Sequence, residues 1–192
     1  MTYKNLNEFL GESAKVMQAA ATSSMEEALE KATDLCVDAL KAGKPLLVCG
    51  NGGSASDAMH IAGELVARFL KERKGLNCIC LSSNPAMITA WANDYDYDSV
   101  FARQVEAYGQ GGGVLLAIST SGNSKNVLQA AQKAKAMGLA VIGLTGGGGG
   151  KLAPLCDVLL DAPSTFTPMI QQVHLCLYHY LCEQIEARMI GA

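Results

Sequence analysis

Two short turns rich in glycine and hydroxyl residues carry the chemistry most readily read from this chain: Cys49-Gly50-Asn51-Gly52-Gly53-Ser54-Ala55-Ser56-Asp57 and Ser119-Thr120-Ser121-Gly122-Asn123-Ser124-Lys125-Asn126. Each follows an apolar, strand-like run and opens a helical pattern. Glycine lets an oxyanion approach the backbone, while serine hydroxyls and the unsatisfied N–H groups of a helix's first turn supply donors beside a positive dipole end. Ser119, Thr120, Ser121 and Ser124 place four hydroxyls within six residues, whereas N-capping accounts for one or two. The spacing points to a phosphate monoester, and two such turns on successive strand ends point to a sugar phosphate. The first turn also fits the dinucleotide pattern G-x-G-x-x-A, but that use needs an acidic residue at the end of the next strand to hold a ribose. Here that strand ends Leu81-Ser82-Ser83-Asn84, without a carboxylate. The phosphate-loop string G-x-x-x-x-G-K-S/T does not occur.

A second group is built from imidazole and carboxylate. His60 and Glu64 stand four apart on the helix after the first turn and share a face. That spacing also describes an ordinary surface or buried pair. Gln171, His174 and His179 lie in a strongly apolar final helix, where polar side chains need partners. Together these segments offer the nitrogen and oxygen donors that a divalent cation such as zinc accepts. Local spacing does not choose between that and ordinary pairing.

The elements that must position these residues alternate. Short apolar runs at 46–50, 78–82, 114–119, 140–145 and 157–161 fit parallel strands buried on both faces. Helical patterns near 55–72, 85–92, 98–109, 123–137 and 167–189 separate or follow them. The expected fold is α/β, a doubly wound, five-stranded parallel sheet with right-handed crossovers, taken as one domain over 1–192. In such sheets the ligand crevice lies beyond the carboxyl ends of the strands, the edge where both turns fall. Residues 1–43 form an N-terminal helical extension. Its second helix begins with a capping-box spacing of Ser24 and Glu27, and the pair of helices covers either a neighbouring subunit or its own sheet.

Bulk composition narrows the partners. The chain has 192 residues and a formal net charge of −3, with no basic face of the kind that binds nucleic acid. The cluster Arg68, Lys71, Arg73 and Lys74 reads as cations near a helix C-terminus, on a solvated face. No run is long and apolar enough for a membrane helix, and the N-terminal stretch lacks the apolar core of a secretion signal. Seven cysteines without zinc-finger spacing read as small core residues of a reducing compartment. The expectation is a cytoplasmic protein.

The strings CGNGGSASDAMHIAGE, TAWANDYDYDSVFARQV, LLAISTSGNSKNVLQA and TPMIQQVHLCLYHYLCE resemble, in order and spacing, the phosphoheptose isomerases of the sugar-isomerase (SIS) domain class, a flavodoxin-like fold. The resemblance implies interconversion of sedoheptulose 7-phosphate and D-glycero-D-manno-heptose 7-phosphate, an early step towards the heptose of bacterial lipopolysaccharide or related glycans. It further implies a homotetramer with active sites between subunits and one zinc per subunit, held by His60, Glu64, Gln171 and His179. Asn51, Gly52, Gly53, Ser54, Arg68, Asn93, Asp94, Ser119, Thr120, Ser121, Ser124 and Gln171 would bind substrate. Glu64 would be the base and His179 the proton donor or relay. Met169, Gln172 and Trp91 depart from the usual pattern of that family and bear on substrate length and pocket charge. Related SIS-domain proteins include non-catalytic binders of the bacterial replication initiator and sugar-phosphate sensors joined to DNA-binding modules. Glu64 and His179 argue against the first, and the lack of a helix-turn-helix or basic excess argues against the second.

Overall fold

Apolar runs too short for amphipathic helices form the sheet. The computed structural model describes residues 3–23 and 25–190. Its elements run α1 (Leu6–Ala21), α2 (Met25–Lys41), β1 (Leu46–Cys49), α3 (Gly53–Val66), β2 (Cys78–Cys80), α4 (Pro85–Asp94), α5 (Val100–Tyr108), β3 (Val114–Ser119), α6 (Lys125–Ala136), β4 (Ala140–Gly146), a 3-10 turn at Ala153–Leu155, β5 (Val158–Ala162) and α7 (Thr167–Ile190). The strands pair in the order β2-β1-β3-β4-β5, all parallel. Every residue of β1 and β3 is buried, while the edge strand β5 alternates.

The strand period of two divides the core. Leu46 and Val48 of β1 and Leu116 and Ile118 of β3 face a layer formed by α2, α3 and α7. Leu47 and Cys49, with Leu115 and Ala117, face α5 and α6. Each fully buried Leu or Ile stabilises the fold by about 1.5–3 kcal/mol, so a one-residue register slip would be costly on both faces at once.

Because β1 and β3 are neighbours while their following strands lie on opposite sides, the chain leaves them in divergent directions. The segments after Cys49 and Ser119 therefore border a crevice at the sheet's carboxyl edge.

Both N-terminal helices pack on the chain's own body, to different depths. Leu29, Ala32, Cys36, Val37 and Leu40 of α2 are buried on the chain's own sheet. By contrast, α1 buries no residue completely. Val16, Met17 and Ala20 touch the α7 side, while Leu6 and Leu10 are exposed. The capping role expected of Ser24 lies outside the described residues.

Helix α3 ends at Val66, well before the expected 72. The reason is distant in sequence: the backbone N–H groups of Phe69, Leu70 and Lys71 donate to the Glu186 carboxylate of α7 at 2.9, 2.7 and 2.9 Å. Arg73 corrects the solvated-face reading of the basic cluster. Its side chain is buried, its Nε lies 3.1 Å from Glu186 Oε1, and its Nη2 donates to the Glu64 carbonyl at 2.8 Å.

Candidate active site

The first turn passes from β1 into α3 through Gly50, Asn51 and Gly52, with Gly52 as an N-cap that has no side chain to offer. The second passes from β3 into α6. Its N-cap, Ser124, does not cap, because its hydroxyl lies 3.0 Å from that of Ser119. Helices α1 and α4 are closed instead by Asn5 and Asn84, whose side chains accept from Glu8 N at 2.9 Å and Met87 N at 3.1 Å. The two helices that start at the crevice thus lack the N-caps found on these two others; Ser54 N and Ala55 N bond to the Asn51 and Gly52 carbonyls and Val127 N to Asn126 Oδ1, leaving the N–H groups of Gly53, Lys125 and Asn126 for an anion.

Behind the second turn, Gly122 has a φ of +64°, and a Cβ there would run into the Gly149 carbonyl. The loop at 146–150 therefore backs the hydroxyl-rich turn. Thr120 is half-buried and its carbonyl accepts from Gly146 N at 2.9 Å; Ser121 is exposed and its Oγ accepts from Asn123 N at 3.2 Å. Ser54 is only 4% exposed and packs against Gly50, and Ser119 is buried to the same degree at 3%.

Two residues missed in the sequence join these turns. The side-chain amides of Asn51 and Asn126 bond reciprocally, at 2.8 Å in both directions. The Tyr97 hydroxyl donates to Asn51 Oδ1 at 2.9 Å, bringing in the segment after α4. Asn93 and Asp94, at the exposed end of α4, bond to each other at 3.0 Å. Counting amides as well as hydroxyls in the second turn would have flagged Asn126.

The other cluster lies between α3 and α7. His60 Nε2 is 3.0 Å from Glu64 Oε1 and 3.5 Å from His179 Nε2, and donor atoms of all three residues fall within 4.8 Å of one another. The tilted Phe69 ring stands 5.8 Å from the His179 ring, centre to centre. Neither Asp57 nor Tyr178 was anticipated, although Asp57 precedes His60 by three residues and Tyr178 adjoins His179. The Tyr178 hydroxyl donates to Asp57 Oδ1 at 3.4 Å and lies 3.0 Å from His60 Nδ1. Burial, reinforced by the Asp57 charge, raises the Tyr178 hydroxyl above its ordinary value and keeps it protonated. Burial also raises Asp57, partly offset by the Tyr178 hydrogen bond and by His60.

Tyr178 holds His60 Nδ1, so that Nε2 faces the Glu64 carboxylate and the His179 ring. In the tautomer with the proton on Nδ1, donated to the tyrosine oxygen, Nε2 is an acceptor beside two other potential ligands. Such a set fits a divalent cation, and a second partner on the distal ring nitrogen is the usual support of a metal-binding histidine.

The remaining expected residues fall elsewhere in this chain. Gln171 packs against Gly53, where a Cβ would strike its Nε2, about 12 Å along α7 from His179 at 1.5 Å per residue. Arg68 is exposed past the end of α3, 3.9 Å from Glu72. His174, read with Gln171 and His179 as one polar set, is buried on its own, with Nε2 donating to the Thr145 carbonyl at 2.9 Å; burial lowers its pKa and keeps it neutral. Met169 is buried with its sulfur 3.2 Å from Ser13 Oγ of α1. Trp91 stacks on Tyr95 at 4.1 Å and donates to Ser99 Oγ at 2.8 Å, beside a groove of about 370 Å³ that Asp94 also lines.

A parallel sheet with hydroxyl-rich turns at its switch point and an imidazole–carboxylate cluster on the adjoining helices fits the sugar-phosphate class of α/β proteins. The family model described as the SIS domain matches residues 8–146, and the chain belongs to that family. A phosphoheptose isomerase of Crocosphaera subtropica is 52% identical over 164 residues, covering 85% of this chain and 84% of the relative. The solved structure of a phosphoheptose isomerase from Neisseria gonorrhoeae matches with a TM-score of 0.88 at 39% identity, covering 93% of this chain and 95% of that one. One from Francisella tularensis matches with a TM-score of 0.91 at 36% identity, covering 95% and 96%. Within the SIS-domain family, this chain sits with the phosphoheptose isomerases.

Proposed function

We propose that this protein is an aldose–ketose isomerase that interconverts sedoheptulose 7-phosphate and D-glycero-D-manno-heptose 7-phosphate. The observation that carries the reading is the convergence of His60, Glu64 and His179, with the His60 ring held through Nδ1 by Tyr178. The phosphate belongs at the turns after β1 and β3, where Ser119, Thr120, Ser121, Ser124 and the N–H groups of Gly53, Lys125 and Asn126 supply donors. Asn51, Gly52, Gly53, Asn93, Asp94, Arg68 and Gln171 complete the proposed substrate contacts.

Isomerisation removes a proton from the carbon beside the carbonyl, forms an enediolate and returns a proton to the neighbouring carbon. Glu64 takes that proton. Its Oε1 faces His60 at 3.0 Å, and Oε2 is the oxygen available for transfer. His179 delivers or relays the returning proton. Asp57 and Tyr178 hold the His60 ring so that Nε2 points into the cluster. His60, Glu64 and His179 fit a zinc ion, with Gln171 as a further ligand if its side chain reorients or a neighbouring subunit supplies it. A zinc ion held there would supply Lewis-acid polarisation of the substrate carbonyl.

Subunit packing is part of the same reading. Met59 and Val66 of α3, Leu175 of α7, and Leu6 and Leu10 of α1 leave apolar side chains in solvent. Their exposure supports a homotetramer in which α1 and the α3–α7 face are covered. No described helix is long and apolar enough to cross a membrane, in keeping with a cytoplasmic place for the enzyme.

The test is direct: purified protein is mixed with sedoheptulose 7-phosphate and the aldose signals are followed by proton NMR. Appearance of heptose 7-phosphate supports the assignment. A folded, zinc-supplied protein that leaves the ketose untouched contradicts it.

A further inference from the structure

Asn51 is fixed in one orientation by a chain of bonds that begins at a main-chain group. A backbone N–H cannot reverse its polarity, whereas an asparagine amide can be turned over. The Val127 N–H donates to Asn126 Oδ1 at 3.0 Å, which identifies that atom as oxygen. The same oxygen accepts from Asn51 Nδ2 at 2.8 Å, while Asn126 Nδ2 donates to Asn51 Oδ1 at 2.8 Å. Tyr97 then donates to Asn51 Oδ1 at 2.9 Å.

An asparagine side chain has two acceptor sites on oxygen and two N–H donors. Both acceptor sites of Asn51 are therefore occupied, and one N–H is used on Asn126. What Asn51 retains is a single N–H, in a turn at the mouth of the crevice. Asn126 is 3% exposed and Tyr97 51%, so the orientation is set from a buried residue on α6 and locked from a surface residue after α4.

We propose that Asn126 and Tyr97 are positioning residues that make Asn51 a one-sided donor, aimed at a negatively charged oxygen of the bound sugar phosphate. This rests on the sugar-phosphate reading of the crevice. It also adds a selection rule: with no acceptor left, Asn51 favours an anionic oxygen over a hydroxyl that must donate. The Asn51–Asn126 pair further ties the turn after β1 to the turn after β3, so it sets the spacing of the two anion-binding elements.

A double-mutant cycle separates action through Asn51 from a general structural role. The measurements are kcat/KM and Kd for sedoheptulose 7-phosphate, with the melting temperature of each variant. Loss of one hydrogen bond to a charged oxygen gives Asn51→Ala a fall of about 10- to 100-fold in kcat/KM. Asn126→Ala should cost about 10-fold and Tyr97→Phe about 3-fold in the native background, and each less than about 2-fold once Asn51 is alanine. Tyr97→Phe removes an exposed hydroxyl, so it tests the proposal even if Asn126→Ala is poorly folded. Equal losses in both backgrounds, or no loss from Tyr97→Phe, would overturn the inference while leaving the isomerase assignment intact. A wild-type protein that neither binds nor converts the sugar phosphate would overturn both; if it binds without turnover, the cycle is read in Kd.

Discussion

Two carboxylates at the same helix interface have opposite fates. Glu64 and Glu186 both lie where α3 and the chain just after it meet α7. Glu186 has a side chain 2% exposed that accepts three backbone N–H bonds and pairs with Arg73, itself 5% exposed. Its hydrogen-bonding capacity is spent on closing the end of α3. The Glu64 side chain is 23% exposed and faces His60 Nε2 at 3.0 Å. One carboxylate is occupied and structural; the other keeps acceptor capacity in reserve, which suits the base role proposed for it. Arg73 connects the two, since it pairs with Glu186 and donates to the Glu64 carbonyl. The residue that completes the structural site thus also fixes the backbone under the proposed base.

This contrast can be broken at either end. The largest effect expected is on stability. Arg73→Met leaves a buried carboxylate without its cation and should cost about 3–5 kcal/mol in urea unfolding. A loss below 1 kcal/mol, by contrast, would show the pair to be unimportant. The pH dependence should follow the same site. Burial alone would raise the Glu186 carboxyl, but the Leu70, Phe69 and Lys71 N–H groups and Arg73 outweigh it and hold the carboxyl below its ordinary value of 4.5. Its contribution is therefore fully present above that value and is lost as the pH falls through the depressed folded value. Glu186→Gln should flatten that part of the acid limb of a stability profile; an unchanged limb would assign acid unfolding to other groups.

At the reactive end, Glu64→Gln and His179→Ala should each lower turnover by at least about 100-fold, with little change in melting temperature because neither side chain is locked in the core. Near-normal turnover in either variant would remove that residue from proton transfer. Smaller effects belong to the turns: Ser119→Ala or Ser121→Ala should weaken sugar-phosphate binding by about 1–3 kcal/mol. Unchanged affinity in both would move the phosphate away from these hydroxyls.

The same contrast explains what could be read from the sequence. Buried parallel strands are continuous apolar runs, so all five were visible, with ends shifted by a residue or two. The two turns and the pairing of His60 with Glu64 were visible because their spacing is local. Glu186 was not. It caps a chain segment more than 110 residues away, and nothing near Arg73 distinguishes it from its exposed neighbours. His174 shows the converse error. It was grouped with Gln171 and His179 because they share a helix, yet its Nε2 bonds to a backbone carbonyl on β4, away from both. Asp57 and Tyr178 stood next to recognised residues and needed only the question of what holds the second nitrogen of His60.

The central claim is that His60, Glu64 and His179 form a cation-assisted proton-transfer site. It is tested most directly by following sedoheptulose 7-phosphate in heavy water by NMR, using protein stripped of metal with a chelator and then resupplied with zinc. The account predicts deuterium at the carbon beside the carbonyl together with aldose formation, nearly absent after stripping and restored by zinc. Conversion without solvent deuterium and at the same rate in stripped and reloaded protein would contradict it.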